Sequence, residues 1–296
     1  MREVEIRQII SFLEDKKISF SVRGKYEKKI CGFAPINCYK EGCITWIKSS
    51  SVQYNSLQHI SLCIAPYGID IEADMIIMVK EPKMVFFEIL NEFFYEERKA
   101  GISANTIIET QKIGKNVTIG HYCYIGKDVV IGDNVVIKNH VQIECPAVIG
   151  DDCVISSGVV IGTDGFGYYQ DVEGIYKRVP HFGGVRIGNS VDIGANTCID
   201  RGTMGDTCID DHVKIDNLCH IAHNVHIGEN SLVIALSMLG GSAELGKGTY
   251  IAPGCLVKNQ ITVDEDSFVG MGAVVLENVR KGKIVVGVPA RELRDR

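Results

Sequence analysis

The sequence predicts a mainly β protein in which a parallel β-helix follows a small α/β domain, and two observations support this fold class. First, an aliphatic residue recurs at every sixth position through most of residues 107–275. Second, residues 1–100 show no such period. A period of six matches neither an amphipathic helix, which repeats at about 3.6 residues, nor a flat strand, which repeats at about two. The recurring positions form three runs, namely Ile107 to Ile161, Ile187 to Ile199 and Ile209 to Val275.

A triangular prism of short strands accounts for this period. Each side takes six residues, three sides close one coil, and one branched aliphatic residue per side points to the axis. Glycine, asparagine or aspartate then stands at each corner, where the backbone needs unusual dihedral angles. Because a single hexad cannot bury its own aliphatic side chain, the stacking of coils provides the stability. The predicted column spans residues 101–280, with an inserted loop at 163–184.

Residues 1–100 are predicted to form a separate small α/β domain that is a candidate for nucleotide binding. Residues 5–16 have the apolar spacing of a helix, and so do residues 83–98, "KMVFFEILNEFFYEER". The apolar runs "CITWIK" and "MIIMVK" indicate strands. Residues 281–296 are too short for more than a tail or one helical turn.

Composition and charge argue against several classes of function. The net charge is −6 and no basic block occurs, which disfavours a nucleic-acid partner. The first residues mix charges and lack the apolar segment of a signal peptide, and no apolar run is long enough to span a membrane. The eleven cysteines include no CxxC pair, which is typical of reduced thiols. We therefore expect a cytoplasmic protein.

Two interruptions break the repeat. The longer one, residues 163–184, is rich in glycine and aromatic residues, and the shorter one is "RGTM" at 201–204. A regular prism needs neither of them, and loops that leave a rigid scaffold commonly carry a binding site. The alternative is a loop that only packs against a neighbouring subunit.

Three stretches in and after these interruptions resemble one enzyme family. They are "DGFGYY" (164–169), "IGANTCIDRGTMGDTCI" (193–209) and "KIDNLCHIAHNVHIG" (214–228). Their order is similar to that of the UDP-3-O-acylglucosamine N-acyltransferases, which are hexapeptide-repeat acyltransferases. The resemblance implies a left-handed β-helix, a homotrimer with active sites in the clefts between columns, and no permanently bound cofactor. It also implies a nucleotide-linked amino sugar and an acyl thioester as substrates.

Three histidines, His220, His223 and His226, lie within the last of these stretches. His220 and His226 each directly precede an inward residue, so both should point outward and either serve a surface role or line a subunit cleft. Three imidazoles that diverge in this way do not provide the converging ligands that zinc requires. We therefore expect no metal site.

His223 matches the histidine of the family's IAHN motif, and the resemblance makes it the general base. Attack of an amine on a thioester requires the loss of a proton, which a near-neutral imidazole can accept. By the same resemblance, Asp216 orients this ring, either within one chain or across the trimer. Gly241 matches the glycine whose backbone N–H donates to the oxyanion of the intermediate. The alternative for Gly241 is a simple corner glycine.

The remaining candidates are substrate-binding residues. They are Trp46, Phe166, Gly167, Asn217, Asn224 and Gln260. Gln260 stands where the family has a second histidine, and it can donate a hydrogen bond but cannot carry a proton. Trp46 stands where the family has a phenylalanine, and the N-P-x-Y stretch that follows in the family is absent, with Tyr54 and Asn55 at unmatched spacing. Trp46 can either stack on a nucleotide base or pack in the core.

The leading interpretation is an N-acyltransferase acting on the amino group of a nucleotide-linked amino sugar. The thioester carrier can be acyl carrier protein or coenzyme A. The ending "GVPARE" resembles the smaller coenzyme A-dependent sugar acetyltransferases more than it resembles the N-acyltransferase family. A transferase of acetyl or other short acyl groups from coenzyme A is therefore the first alternative. The second is a non-catalytic scaffold, or a metal-binding column similar to carbonic anhydrase with histidines converging between subunits.

Overall fold

The computed structural model describes residues 3–25, 28–48, 59–69, 71–96, 100–144 and 146–295. The chain divides into two compact units, residues 1–98 and 99–296. Each unit has its own hydrophobic core, and the candidate catalytic residues all belong to the second unit.

The first unit combines helices with a five-stranded sheet. Its helices are α1 (Ile6–Asp15) and α2 (Pro82–Phe93), with a 3-10 turn at Ile36–Cys38. Its strands are β1 (Val4–Glu5), β2 (Phe20–Gly24), β3 (Lys29–Ile30), β4 (Gly32–Phe33), β5 (Cys43–Trp46), β6 (Leu62–Pro66) and β7 (Met75–Val79). The sheet order is β2-β7-β6-β5-β4, in which only the β2–β7 pair is antiparallel. β1 and β3 form a separate antiparallel pair.

Helix α1 forms where the apolar spacing predicts it. Ile6, Ile9 and Leu13 lie on one face of the helix and are fully buried in the core of this unit. Each such side chain stabilises the fold by roughly 1.5–3 kcal/mol relative to an exposed one. At the start of the helix, Oε1 of Gln8 accepts the backbone N–H of Glu5 at 2.9 Å, which is half of a capping box.

Helix α2 is shorter than the sequence pattern suggests. It begins at Pro82, where a missing backbone N–H is tolerated, and it ends at Phe93 rather than at the predicted residue 98. Tyr95 and Glu96 are exposed, so no packed face extends the helix beyond this point. Neither helix is long and apolar enough to cross a membrane, and the described residues contain no other α-helix.

The second unit is a parallel β-helix with three faces. The first face stacks Gly101–Ile102, Thr118–Ile119, Val136–Ile137, Val154–Ile155, Asp192–Ile193, Lys214–Ile215, Leu232–Val233, Tyr250–Ile251, Phe268–Val269 and Lys283–Val286. The second face stacks Ile107–Ile108, Tyr124–Ile125, Gln142–Ile143, Val160–Asp164, Cys198–Arg201, His220–Ile221, Met238–Leu239, Leu256–Val257 and Val274–Val275. The third face stacks Val129–Ile131, Ala147–Ile149, Val185–Ile187, Thr207–Ile209, His226–Ile227, Glu244–Leu245 and Thr262–Val263.

The recurring aliphatic residues fill the axis of this column. Ile215, Ile221 and Ile227 occupy the three faces of one coil and are at most 3% exposed. Along one face, Ile199 pairs in register with Ile221, and Ile221 pairs with Leu239 of the next coil. The six-residue period therefore places aliphatic side chains directly above one another, and the backbone hydrogen bonds between coils follow from that register.

The first coil departs from the predicted register. Ile107 is 63% exposed, and Ile108 instead pairs with Ile125 and packs against the core. The next inward residue, Ile113, follows five residues later, so the strict spacing begins there. The prediction was wrong for Ile107 because two adjacent isoleucines satisfy the pattern equally well. Only the pairing with the next coil decides between them.

Left-handed backbone marks the corners, as the distribution of asparagine predicts. Asn116, Asn134 and Asn196 have φ angles of 56°, 59° and 57°. Leucine occupies the same conformation at Leu218 (59°) and Leu236 (64°), although bulky residues rarely adopt it. The stack of coils therefore imposes the corner geometry even where the local side chain disfavours it.

Two segments contain strands that the sequence pattern did not predict. Within the inserted loop, Tyr168–Gln170 and Tyr176–Arg178 form an antiparallel hairpin. Residues 281–296 are not a tail or a helical turn, because Lys283–Val286 extends the first face and Arg291–Asp295 pairs antiparallel with it. The last coil offers an edge of unpaired backbone groups, and pairing with that edge orders the segment.

Candidate active site

The ring of His223 lies where three segments of the second unit meet. These are the corner at 222–224, the inserted loop and the corner of the next coil at Gly241. The loop leaves the column after Asp164 and not at the predicted residue 163, because Thr163 and Asp164 still pair with Asp200 and Arg201 on the second face. A Cβ atom built on Gly165 of the loop would lie 2.7 Å from Cδ2 of His223, and one built on Gly241 would lie 2.7 Å from Cε1 and Nε2. Carbon atoms do not approach this closely, so both positions need glycine while the ring stays in place.

The carboxamide of Asn224 determines which ring nitrogen of His223 carries the hydrogen. Nδ1 of His223 lies 3.0 Å from Oδ1 of Asn224. The same oxygen accepts the backbone N–H of Thr203 at 3.2 Å and the Thr203 hydroxyl, while Nδ2 of Asn224 donates to the carbonyl of Gly205. Because this oxygen can only accept, Nδ1 carries the hydrogen and Nε2 carries the lone pair. Nε2, beside Gly241, is therefore the atom able to take a proton.

The corner at His223 lacks a cap that other corners have. At six corners the backbone N–H of the first residue is capped by an Asn or Asp oxygen of the following coil, at 2.6–2.9 Å. Gly241 occupies this capping position above His223 and has no side chain. No described residue accepts the N–H of His223 or that of Gly241. Unpaired N–H groups beside a basic nitrogen can stabilise a developing oxyanion.

Asp200 is a buried carboxylate near this ring, and the sequence analysis did not single it out. It is 6% exposed. The hydroxyl of Thr163 donates to its Oδ1 at 3.4 Å, and Nε2 of His220 lies 3.7 Å from its Oδ2. Burial raises the pKa of the Asp200 carboxyl, while the Thr163 hydroxyl and nearby histidines, including His223, oppose that rise. The available signal was its place in "IDRG", directly before the inserted residues 201–204.

His181, near the end of the inserted loop, is a second residue that sequence reasoning missed. It is 6% exposed, and its ring lies nearly perpendicular to that of His223 with centroids 5.5 Å apart. Nδ1 donates to the carbonyl of Val179 at 2.9 Å, whereas the buried Nε2 has no hydrogen-bond partner in the described chain. A lone histidine between Pro180 and Phe182 gives no signal, because its burial depends on how the loop folds back onto the column.

Asp216 and Asn217 lie at the corner that precedes the corner of His223. The carboxylate of Asp216 accepts the N–H of Asn217 at 2.7 Å and that of Ala235 at 3.2 Å. Asn217 in turn caps the N–H of Ala195 at 2.6 Å. One strand of the prism separates this corner from His223, whose Nδ1 has another partner. Within one chain, the structure therefore does not bring Asp216 and His223 together.

The structure brings Gln260 to the corner column of His223. His223, Gly241 and Asn259 occupy equivalent positions in three successive coils, and Gln260 directly follows the last of them. The backbone N–H of Gln260 donates to the carbonyl of Gly241 at 3.0 Å, and the residue is exposed. An exposed carboxamide at this place can donate a hydrogen bond to a ligand that lies along the corner.

The two loop candidates differ in their surroundings. Phe166 is 88% exposed, and its ring lies 4.9 Å from that of Tyr168. Gly167 packs inward, since a Cβ atom there would lie 3.3 Å from Cε1 of His181. Phe166 thus presents an apolar surface beside the site, whereas Gly167 lets the two sides of the inserted loop pack closely against each other.

Trp46 belongs to the first unit, at the end of β5. Its side chain is half-buried against the core of that unit, with its ring 6.3 Å from that of Phe86 on α2. Trp46 therefore packs against the core while part of it is accessible, and its stacking on a nucleotide base stays a prediction. Tyr54 and Asn55 lie outside the described residues.

His220 and His226 point outward, as their positions predict. His220 faces Asp200, and Nε2 of His226 lies 2.9 Å from Oδ2 of Asp210 on another face of the column. Where side chains are described, no three His, Cys, Asp or Glu residues form a group suited to a metal ion. Each of these two histidines therefore has a carboxylate partner of its own.

Comparison with known proteins identifies the repeat. Residues 112–145 and 130–163 match the family model "Bacterial transferase hexapeptide (six repeats)". Over 138 residues the chain is 46% identical to UDP-3-O-acylglucosamine N-acyltransferase 2 of Legionella pneumophila (strain Paris), a match that covers 47% of this chain and 40% of that protein. Over 123 residues it is 42% identical to the UDP-3-O-acylglucosamine N-acyltransferase of Albidiferax ferrireducens, which covers 42% of this chain and 37% of the relative. The match thus spans about two fifths of the length of these relatives.

A solved structure supports the fold. The crystal structure of the Francisella novicida UDP-N-acetylglucosamine acyltransferase superposes with a TM-score of 0.60 at 25% identity, over 66% of this chain and 71% of that one. The hexapeptide repeat, the left-handed parallel β-helix and the resemblance to UDP-3-O-acylglucosamine N-acyltransferases, all predicted from the sequence, are confirmed by these matches.

Proposed function

We propose that this protein is an N-acyltransferase that moves an acyl group from a thioester to the amino group of a nucleotide-linked amino sugar. Two relatives that share 46% and 42% identity with it carry the name UDP-3-O-acylglucosamine N-acyltransferase. The single observation that carries the proposal is that Nε2 of His223, the ring nitrogen left without a hydrogen by Asn224, lies next to Gly241, whose backbone N–H has no partner among the described residues. A base next to a donor is the arrangement that acyl transfer needs.

The reaction needs one proton acceptor and one oxyanion donor. The amine nitrogen attacks the thioester carbonyl carbon, and Nε2 of His223 takes the proton that the nitrogen loses. The carbonyl oxygen becomes an oxyanion and accepts the N–H of Gly241. When the intermediate collapses, the carbon–sulfur bond breaks and the thiolate takes the proton from the imidazolium, which leaves an amide and a free thiol. No covalent enzyme intermediate forms on this route.

The proposal includes a homotrimer with its site between neighbouring columns. Asp216 lies at a different corner from His223 in the same chain. A neighbouring copy can bring its own Asp216 corner to the cleft that contains His223. Because Asn224 already holds Nδ1 of the ring, Asp216 of that copy would act across the interface by its charge, while Asn217 and Gln260 contact the ligands in that cleft.

We assign two further residues to substrate binding. They are Trp46, which is partly accessible, for the nucleotide base, and the exposed Phe166 for the acyl or sugar portion. The donor is acyl carrier protein or coenzyme A that carries the acyl group, and no permanently bound cofactor takes part. The proposal places the reaction in the cytoplasm, in keeping with free thiols at the ten described cysteines.

A substrate panel tests this function on the purified full chain. UDP- and dTDP-linked amino sugars are paired with acyl-coenzyme A and acyl carrier protein donors of short and long chains, and amide formation is followed by mass spectrometry. His223→Ala should lower turnover by about 10²–10⁴-fold, which is typical of a lost general base. His226→Gln, a matched change of an exposed histidine, should leave turnover unchanged.

Three outcomes would overturn the proposal. One is the absence of transfer to every amino sugar, and another is unchanged transfer in His223→Ala. The third is transfer only to hydroxyl acceptors. Light scattering on the same samples reports the oligomeric state, and a monomer would remove the assignment of Asp216.

A further inference from the structure

A buried carboxylate accompanies the proposed base within the same chain. Asp200 is 6% exposed, and it lies in the coil directly below His223, because Ile199 and Ile221 are paired in register. A carboxylate removed from water in this way is unfavourable unless charged or hydrogen-bonding groups stabilise it. Thr163 supplies one hydroxyl, at 3.4 Å, which is a long and weak hydrogen bond.

The groups that face Asp200 come from four elements. Thr163 comes from the coil below and His220 from the second face of the coil above. His223 comes from the corner that follows His220, and His181 comes from the inserted loop. The titratable groups among them are three histidines. The thiol of Cys198 is a further neighbour, and burial together with the charge of Asp200 raises the pKa of that thiol, which keeps it neutral. The surroundings of Asp200 therefore become positive when an imidazole takes a proton.

The proposed reaction creates such a charge. When Nε2 of His223 takes a proton from the amine, the ring becomes an imidazolium that already donates through Nδ1 to a neutral carboxamide, Asn224. That carboxamide orients the ring but brings no negative charge. Asp216 is held at another corner by two backbone N–H groups. Asp200 is therefore the carboxylate of the same chain that is placed to balance the new charge.

We propose that Asp200 is a positioning residue that provides the counter-charge for the imidazolium of His223 during acyl transfer. This inference rests on the proposed function, and it adds a residue that the resemblance does not assign. The burial of Asp200 strengthens the effect, because two charges attract more strongly where water is excluded.

A simpler alternative is that Asp200 is only the ion-pair partner of His220. Their closest atoms are 3.7 Å apart, beyond hydrogen-bonding distance, and the side chain of His220 is 46% exposed. A pair in which one partner is half exposed and no hydrogen bond forms contributes little to stability. The same chain provides a comparison pair at an equivalent place in the repeat. Asp210 follows Cys208 and Ile209 as Asp200 follows Cys198 and Ile199. Both partners of that pair are about half exposed, and Oδ2 of Asp210 lies 2.9 Å from Nε2 of His226.

The test compares Asp200→Asn with Asp210→Asn in the full chain, with the acceptor and donor that the panel identifies. Asp200→Asn keeps the shape of the side chain and removes its charge. We expect kcat to fall by about 10–100-fold, the scale of one charge pair in a partly buried site, with KM unchanged. The acidic limb of the kcat/KM profile should move to lower pH, because an imidazolium without its counter-charge loses its proton more easily. Asp210→Asn and His220→Gln should show neither change.

The outcomes separate the two proposals. An acidic limb that does not move in Asp200→Asn overturns the role of Asp200, even when kcat falls, because a purely structural role leaves the limb in place. If Asp200→Asn does not fold, Thr163→Val carries the test, since the loss of the hydroxyl should move the limb in the same direction by a smaller amount. Full activity of His223→Ala overturns the proposed function itself. Loss of activity in His223→Ala, together with an unmoved acidic limb in Asp200→Asn (or in Thr163→Val where Asp200→Asn does not fold), overturns only the inference.

Discussion

The carboxamide oxygen of Asn224 receives the Nδ1 hydrogen of His223 at 3.0 Å, and the same oxygen also receives the backbone N–H of Thr203 at 3.2 Å. The four inserted residues 201–204 are therefore connected to the ring through a single side chain. An interruption that a regular column does not need fixes the tautomer of the proposed base.

Asn224→Ala should lower kcat by about 10–100-fold, because it removes a hydrogen bond of ~1.5–3 kcal/mol that selects the reactive tautomer. Asn224→Asp keeps an acceptor at the same place and should retain most of the activity. Steady-state kinetics on both variants is the measurement. Asn230→Ala, another corner asparagine at φ 59°, is the control for corner stability. Equal activity in Asn224→Ala and the wild type would show that Asn224 does not set the tautomer.

Gly241→Ala should reduce kcat by about 10²-fold or more, in the range reported for the loss of an oxyanion donor or of a base. The added methyl group would lie 2.7 Å from Nε2 and Cε1 of His223 and must displace the ring. Gly205→Ala is the matched control, because a Cβ atom there meets no atom within 4 Å. Thermal melts should show both variants folded. Wild-type turnover in Gly241→Ala would mean that the ring position does not matter for the reaction.

Trp46 can be tested directly, because it is the single tryptophan of the chain. A nucleotide that stacks on the indole should quench the intrinsic fluorescence in a saturable manner. Trp46→Ala should raise KM for the nucleotide sugar with little effect on kcat, and Trp46→Phe should keep the packing against Phe86 and part of the binding. Fluorescence that does not respond to UDP or to the nucleotide sugar would restrict Trp46 to a core role.

Cys63 should resist alkylation in the folded protein. Burial raises the pKa of its thiol from 9.0 to about 12, so on the order of one molecule in 10⁴ carries the reactive thiolate at pH 8. Peptide mapping after iodoacetamide treatment at pH 8 should show modification at the exposed Cys38 and none at Cys63. Between pH 9 and 12 the unfolded chain releases this proton while the folded chain keeps it, so stability falls as pH rises. Rapid native labelling of Cys63 would contradict its burial.

The column could be predicted from the sequence because one simple rule, a side chain to the axis at every sixth residue, acts at every coil. Ile221 is inward for the same reason as Ile199, and their pairing follows. The rule is ambiguous where two adjacent residues both satisfy it, as Ile107 and Ile108 do. Only the pairing with the next coil then decides which side chain points to the axis.

The site was predictable only in part. His223, Gly241 and Gln260 share one corner, so their common period brought them together in advance. Asp200 and His181 could not be found by that rule. Their burial depends on an insertion that folds back onto the column, and no repeat describes such a loop.

A single substitution at Gly241 could stabilise the corner at His223. An asparagine in place of Gly241 would supply the oxygen that closes the same backbone position at six other corners, and it would also push the imidazole aside. At this corner, a substitution that stabilises the backbone thus also disrupts the position of the proposed base. Selection of this protein for thermal stability alone should therefore favour variants with a more stable β-helix and no acyl-transfer activity.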